Sequence, residues 1–411
     1  MIKMTLPLRL HWLLLGLLSA LFSLNATAQT EQAFQAWVAD FKPKARQQGI
    51  SQATLDLAFA EVKLNQRVLE LDRRQPEFTR TFWQYFEATV TDWRIKRGIE
   101  LYEEHRELLD QVTQEYGVPG RYLIAFWGME TNYGGFTGNI SIIEALATLA
   151  FDPRRSEFFT NQLIYALRIL DEGHVPIEQM KGSWAGAMGQ TQFMPYNYMH
   201  YTIDADGSGR KDLWNSMPDV FHSSGNFLNR LGWKKEENWG REVQLPAGFD
   251  YAIADGTTRR SLTEWREMGI TLADGRQVPD IDIEAALLMP GDYRGPAFLV
   301  YHNFFVIKRW NNSNSYALAV GHLADRLIGR EPLVAKRPAD DEALSKAHIS
   351  EMQRRLNQLG YSAGGVDGVP GTRTRSSIRQ FQLDHNIPAD GFPSMNILNK
   401  IREAARHEAQ G

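Results

Sequence analysis

Gly128-Met129-Glu130-Thr131-Asn132-Tyr133-Gly134 and, further along, Gly182-Ser183-Trp184-Ala185-Gly186-Ala187-Met188-Gly189-Gln190-Thr191-Gln192-Phe193-Met194-Pro195 are the stretches on which the reading of this chain turns. The first closes a helix predicted over Arg121–Thr131. Leu123, Phe126, Trp127 and Glu130 recur at helical spacing, Pro119 is placed to open the helix, and Gly134-Gly135 stops it. A carboxyl group at the end of such an aromatic-rich helix, beside Trp127 and Tyr133, is partly desolvated. Desolvation favours its neutral form, which a general acid needs near neutral pH. The ordinary alternative is a helix-end Glu in water or in a salt bridge, and this block alone does not separate the two. In the second stretch Gly and Ala let a backbone approach a ligand closely, while Ser183, Gln190 and Gln192 offer hydrogen bonds. A Gly-rich turn between helices is the plain alternative. The stretch lacks a Gly-Lys-Ser/Thr ending, which argues against a nucleotide phosphate loop.

Outward from these blocks the chain reads as mostly helical. Glu31 to Tyr116 looks helical throughout, with Phe34, Trp37, Val38 and Phe41, then Trp83, Phe86, Val90 and Trp93, at helical spacing. Further helices are expected around Ile140–Leu149, Arg155–Glu172 and Asn314–Ile328. Gly240 to Tyr293 is richer in turn signals (Asp255-Gly256, Asp274-Gly275) and reads as a small strand-containing insertion. Proline and charge mark residues 331–343 as a linker. After it, three short helical patterns, Ile349–Leu359, Thr372–Asp384 and Ser394–Ala404, make a separate small domain over 344–405.

The loop Asp204-Ala205-Asp206-Gly207-Ser208-Gly209-Arg210-Lys211-Asp212 puts oxygen-bearing side chains at alternate positions and glycine sixth, as a calcium loop begins. Asp204, Asp206, Ser208 and Arg210 occupy positions one, three, five and seven. Position twelve is Asn215, where a bidentate Glu is expected. A solvated turn stabilised by its own Asp side chains is the alternative.

The first two blocks, with Arg309-Trp310-Asn311-Asn312-Ser313-Asn314-Ser315-Tyr316 as a third, closely resemble the lytic murein transglycosylase B family, glycoside hydrolase family 103, over about Phe34 to Leu327. The resemblance implies a lysozyme-like α+β catalytic domain over 29–330, mostly helical, with an N-terminal helical region and a small β insertion. It implies Glu130 as the catalytic residue and Ser183, Gln192, Asn311 and Tyr316 lining the sugar site. Trp310 stands beside them, where relatives commonly carry tyrosine. Some relatives bind calcium at the acidic loop and close the site with an acid beyond it, a place Asp219 fills here. The implied reaction cuts between N-acetylmuramic acid and N-acetylglucosamine. Glu130 acts first as acid and then as base on the sugar's own 6-hydroxyl, closing a 1,6-anhydro ring without a cofactor. Glu144 and Asp152 lie downstream, but sequence distance cannot set them across a cleft as a second carboxylate. In the small domain, Met352, Leu356, Leu359, Val366-Asp367-Gly368, Gly371, Thr374, Ile378 and Phe381-Gln382 resemble the first family of peptidoglycan-binding domains.

Bulk properties fit an exported wall enzyme. With 411 residues and a formal charge of −4, the chain is large enough for several domains and too mildly charged to suggest nucleic acid as its partner. Lys3 and Arg9, the apolar run Leu10–Leu24 and the small residues Ala26 and Ala28 read as a secretory signal over 1–28; the alternative is an uncleaved membrane anchor, for which the run is shorter than the roughly 20 residues a span prefers. Cleavage after Ala28 removes two positive charges and takes −4 to −6. There is no cysteine, hence no disulfide and no lipid anchor on an N-terminal Cys. The expectation is a periplasmic, soluble monomer that meets peptidoglycan glycan strands, with no membrane anchor once the signal is removed. Two other readings stay open: a muramidase that uses water, and a non-catalytic wall-binding scaffold.

Overall fold

The structure, a computed structural model, describes residues 30–73 and 80–408. The signal read at 1–28 lies outside the described residues. Contacts divide the chain into two units, Met1–Gln75 with Gly134–Ser223, and Pro76–Tyr133 with Ser224–Gly411. Among the described residues no helix is long and apolar enough to cross a membrane.

The first unit is helical. Its opening helix, 30–47, buries Phe34, Val38, Phe41 and Ala45 along one stripe. Trp37 stacks on Phe41 at 5.3 Å and Phe151 meets Phe34 edge-on at 5.5 Å. Ile142–Phe151 is apolar on almost every face, and nearly all of it is buried. Ser141 caps it by accepting the Glu144 N–H, and Ser156–Asp171 packs beside it. A two-stranded antiparallel ladder of β1 (Ile140–Ser141) and β2 (Lys181–Gly182) leads into the Gly-rich loop. There the Met188 and Phe193 backbones exchange two hydrogen bonds of 2.9 Å, and Ser183 N–H donates to Ala187 O at 2.9 Å. A methyl at Gly182 would collide with the Ala187 carbonyl, so the loop can fold back on itself only over glycine.

The span expected to be helical from Glu31 to Tyr116 is a series of short helices. After Gln52–Ala58 and Gln66–Arg73 come Phe82–Thr89, Asp92–Glu104 and Arg106–Tyr116. Three of the breaks fall where a hydroxyl caps the next helix (Ser51, Thr81, Thr91), and Gly117, left-handed at φ 73°, closes the last of the series. Helical periodicity runs through such breaks, which is why the apolar pattern alone did not show them.

In the second unit the Gly120–Thr131 helix is buried from Tyr122 to Gly128 and packs against Asn314–Arg326. Trp239 donates its indole N–H to Asp325 at 3.1 Å, and its ring occupies the place a methyl on Gly321 would need. A five-stranded antiparallel sheet is ordered β4-β6-β7-β3-β5, with β3 Gly240–Gln244, β4 Asp255–Ser261, β5 Thr271–Leu272, β6 Glu284–Leu288 and β7 Ala297–Val300. The sheet therefore runs past Tyr293, where the strand-containing insertion was expected to end. β7 is buried at all four positions, so its sequence shows no alternation to mark it as a strand. Val243, Leu262, Trp265, Leu287 and Leu299 form the core of this sheet, and Trp265 Nε1 donates to Ala285 O at 2.9 Å.

The small domain has its three helices at Lys346–Gln358, Thr372–Asp384 and Met395–Glu408, around Met352, Leu356, Ile378, Phe381, Ile397 and Ile401. Two buried glutamines brace its Asp-Gly turns. Gln353 accepts the Gly368 N–H and donates to Asp367, and Gln382 does the same for Gly391 and Asp390. Residues 331–343 carry no helix or strand, yet they are fastened along their length. Glu242 accepts the Val334 and Ala335 N–H groups at 2.7 and 2.8 Å, Arg294 pairs with Asp340 at 2.7 Å, and Thr81 donates to Asp341 at 2.6 Å. Beyond this strap, Tyr293 N–H donates to Asp390 of the small domain at 2.7 Å.

Candidate active site

Glu130 sits on the last turn of the Gly120–Thr131 helix, half-buried. The chain leaves that helix through three consecutive left-handed residues, Asn132, Tyr133 and Gly134, at φ 55°, 61° and 77°. For a ring-bearing residue this conformation is costly and persists only when surroundings over-determine it. Here the Tyr133 ring is wedged. Its hydroxyl donates to Arg94 O at 2.7 Å, and its ring meets Trp127 edge-on at 5.6 Å. A methyl at Gly128 would come within 2.7 Å of the ring, and one at Gly98 would strike the hydroxyl. Arg94 donates to Asn132 Oδ1 at 3.1 Å and to Thr89 O, which ties the turn to the start of the Asp92–Glu104 helix. Burial pushes the Tyr133 phenol well above its ordinary range, so it stays a neutral donor.

The Tyr316 hydroxyl donates directly to Glu130 Oε1. Tyr316 is buried near the start of the Asn314–Arg326 helix, which Ser313 caps. Desolvation, and after it the Glu130 charge, raise the phenol far above its usual value, so its proton stays on the oxygen and points at the carboxyl group. Trp310 stacks on Phe126 at 4.3 Å and leans on Phe227 at 5.1 Å. Asn311 closes the His302–Trp310 helix in extended conformation. Glu130, Tyr316, Trp310 and the neighbouring Asn311 thus belong to two helix ends and one helix start of the second unit.

Ser183 and Gln192 belong to the loop of the first unit. Both are spent partly on that loop. Ser183 Oγ accepts the Ala185 and Ala187 N–H groups at 3.3 and 3.0 Å, and Gln192 donates to Thr137 O and Gly189 O at 3.0 and 2.9 Å. Gln192 is itself left-handed at φ 53°.

The acidic loop gathers one carboxylate oxygen each from Asp204, Asp206 and Asp219 within 4.8 Å of one another. Asp219 is fully buried and accepts backbone N–H groups of Ala205, Asp206 and Asp212 at 2.8, 3.3 and 2.8 Å. Burial nonetheless raises its pKa, against the backbone N–H bonds that lower it. Ser208 Oγ lies 3.3 Å from the Arg210 carbonyl. Asn215, at position twelve, turns its amide to Asp212 instead. Convergent hard oxygens from three carboxylates, one of them buried, fit a calcium ion.

The sequence does not mark Arg94, Gly98 and Gly128 as supports of the Glu130 turn, and it points to Tyr316 as a sugar contact without showing its bond to Glu130. No local signal marks them. Arg94 meets Asn132 through tertiary packing, and the bulky Tyr133 in a Gly-rich turn was the one available hint.

A carboxyl group held by a neutral phenol, on a helical scaffold with a small sheet, is an arrangement that acid–base chemistry can use. Residues 33–325 match the family model described as Transglycosylase SLT domain, and residues 345–401 match Putative peptidoglycan binding domain. The chain belongs to the transglycosylase SLT family, lytic transglycosylases that cleave peptidoglycan. Membrane-bound lytic murein transglycosylase B of Escherichia coli (strain K12) is 33% identical over 250 residues, which span 58% of this chain and 65% of that relative's length. SltB3 from Pseudomonas aeruginosa, solved in complex with NAG-anhNAM-pentapeptide, is 44% identical with a TM-score of 0.84, over 90% of this chain and 99% of that one. Escherichia coli Slt35, solved in complex with calcium, is 27% identical with a TM-score of 0.61, over 72% of this chain and 93% of that one.

Proposed function

We propose that this chain cuts the β-1,4 bond between N-acetylmuramic acid and N-acetylglucosamine and leaves 1,6-anhydromuramic acid ends. The observation that carries this reading is the buried Tyr316 hydroxyl donated to Glu130, in a chain of this family. Protonated Glu130 gives its proton to the glycosidic oxygen as the bond to C1 breaks. The muramic acid N-acetyl group, or the surrounding site, steadies the cation-like centre. The Glu130 carboxylate, held by the Tyr316 O–H, then takes the proton of the 6-hydroxyl as O6 bonds to C1. Glu130 ends as it began and no water is consumed. An internal hydroxyl competes at an effective concentration of about 10⁵ M or more, which favours ring closure over hydrolysis.

Ser183, Gln192, Asn311, Trp310 and Tyr316 are the residues expected to meet the sugars. Asp204, Asp206, Ser208, Arg210 and Asp219 would hold calcium, which stabilises the fold and takes no part in the chemistry. Residues 29–330 form the catalytic domain, 331–343 the connection and 344–405 the wall-binding domain. The protein works in the periplasm, as a monomer, after loss of residues 1–28. Slt35 with calcium supports the calcium reading by likeness, and SltB3 with an anhydro fragment supports the anhydro product.

Digestion of purified sacculi followed by mass spectrometry of the soluble products is the test. Anhydro ends that vanish in Glu130→Gln are expected. Reducing ends would mean a water-using muramidase, and no soluble product a wall-binding scaffold.

A further inference from the structure

Trp93 is the one tryptophan among the described residues whose side chain lies mainly in water, 56% exposed. A lone exposed apolar residue is ordinary. Trp93 differs in its footing. It is the second residue of the Asp92–Glu104 helix, which Thr91 caps by accepting the Arg94 N–H. Arg94, its neighbour, holds Asn132 and Thr89 with its guanidinium and receives the Tyr133 hydroxyl on its carbonyl. The bonds that fix the turn after Glu130 therefore fix the backbone beneath Trp93 as well. The indole lies 6.3 Å from the Tyr133 ring, tilted by 46°, and the Tyr133 ring in turn reaches Gly128 of the Glu130 helix and Trp127. Trp127, Tyr133 and Trp93 form a row from the buried side of that helix to the surface.

We infer that Trp93 is a stacking platform for a pyranose ring of the glycan strand, outside the pair of sugars that flank the cut bond. A rigid indole with an open face suits the C–H face of an N-acetylhexosamine, which needs no charge from its partner. Continuity with the Glu130 turn selects the glycan as occupant. The Tyr133 ring touches both Gly128 and Trp93, so a sugar on Trp93 neighbours the reacting pair rather than belonging to it. The inference rests on the transglycosylase reading above.

The experiment compares wild type, Trp93→Phe and Trp93→Ala on soluble glycan oligomers of increasing length. On long oligomers Trp93→Ala should raise KM roughly fivefold to tenfold, the worth of one aromatic stack, and Trp93→Phe should recover part of it. On the shortest cleavable oligomer both variants should track wild type. In the inactive Glu130→Gln background, adding Trp93→Ala should weaken binding of long, uncut oligomers by a similar factor. Equal losses on short and long oligomers would overturn the proposal in favour of a structural role through Tyr133. No loss on either would overturn it outright. A wild type that cuts nothing would instead sink the reading on which the proposal stands.

Discussion

Asp219 and Glu130 are both carboxyl groups set into the body of a helical unit, but they keep different company. Asp219 is fully buried, and backbone N–H groups of three residues close around it. Glu130 is half-buried and takes the hydroxyl of a buried tyrosine. Backbone donors are fixed for the life of the fold and favour the anion, against the burial that raises the Asp219 pKa. A phenol that keeps its proton stabilises the carboxylate when it forms, while the half-open side leaves a path for a proton to come and go. The first arrangement is built to hold a charge and the second to trade one.

The widest expected difference comes from making the same change at both sites. Glu130→Gln should cut glycan cleavage by about a thousandfold or more, since the amide has no proton to transfer. Its melting temperature should stay near wild type. Asp219→Asn should do the reverse. It sets an NH₂ against backbone N–H groups and costs about 2–3 kcal/mol of stability, while the folded fraction keeps its turnover. Activity on soluble oligomers and a thermal melt, run on both variants, check the contrast. It breaks if Glu130→Gln melts early or if folded Asp219→Asn is inactive.

Tyr316→Phe comes next. It keeps the buried ring and removes the O–H that meets Glu130, so kcat should fall roughly tenfold to a hundredfold. KM should move little, because the lost bond is to the enzyme's own acid. A rise in KM at constant kcat would make Tyr316 a sugar contact alone and not a partner of the acid.

Calcium probes the other half. A ligand bound only to the folded state stabilises it by about 2.7 kcal/mol at a hundredfold excess over Kd. Calcium should therefore raise the melting temperature by several degrees, and Asp204→Ala should erase the rise. A melt indifferent to both calcium and chelator would leave the loop a turn held by its own Asp side chains.

The two sites also differ in how far the sequence exposes them. Asp204 to Arg210 carry their chemistry at consecutive alternate positions, and the Glu130 block is likewise contiguous, so both can be read along the chain. Asp219 came from likeness to relatives and not from the loop's own spacing. The partners that shape Glu130 are scattered. Arg94, Gly98 and Tyr316 reach it through packing that no local pattern encodes. The same limit hid β7, whose four buried residues look like the start of the apolar helix that follows. It hid the strap too. Proline and charge in 331–343 predict the absence of helix, which the structure has, but not the bonds from Glu242, Arg294 and Thr81 that pin it.

The smallest expected effect concerns a buried base and sharpens the comparison from the other side. His322, on the helix that begins near Tyr316, is buried against the Phe86 ring at 5.2 Å. Desolvation, and after it the Arg326 charge, lower its pKa from 6.5 to about 4. The folded state thus holds the imidazole neutral at pH values where the unfolded chain would protonate it. The unfolded state binds the extra proton, so stability rises with pH across this window. The full contribution is present above pH 6.5 and is lost as the pH falls through about 4. The slope is at most one proton, about 1.4 kcal/mol per pH unit. Melting curves between those limits should show wild type losing stability on acidification faster than His322→Gln, with the two running parallel at neutral pH. Curves that stay parallel throughout would mean that the His322 ring finds a way to protonate inside the fold.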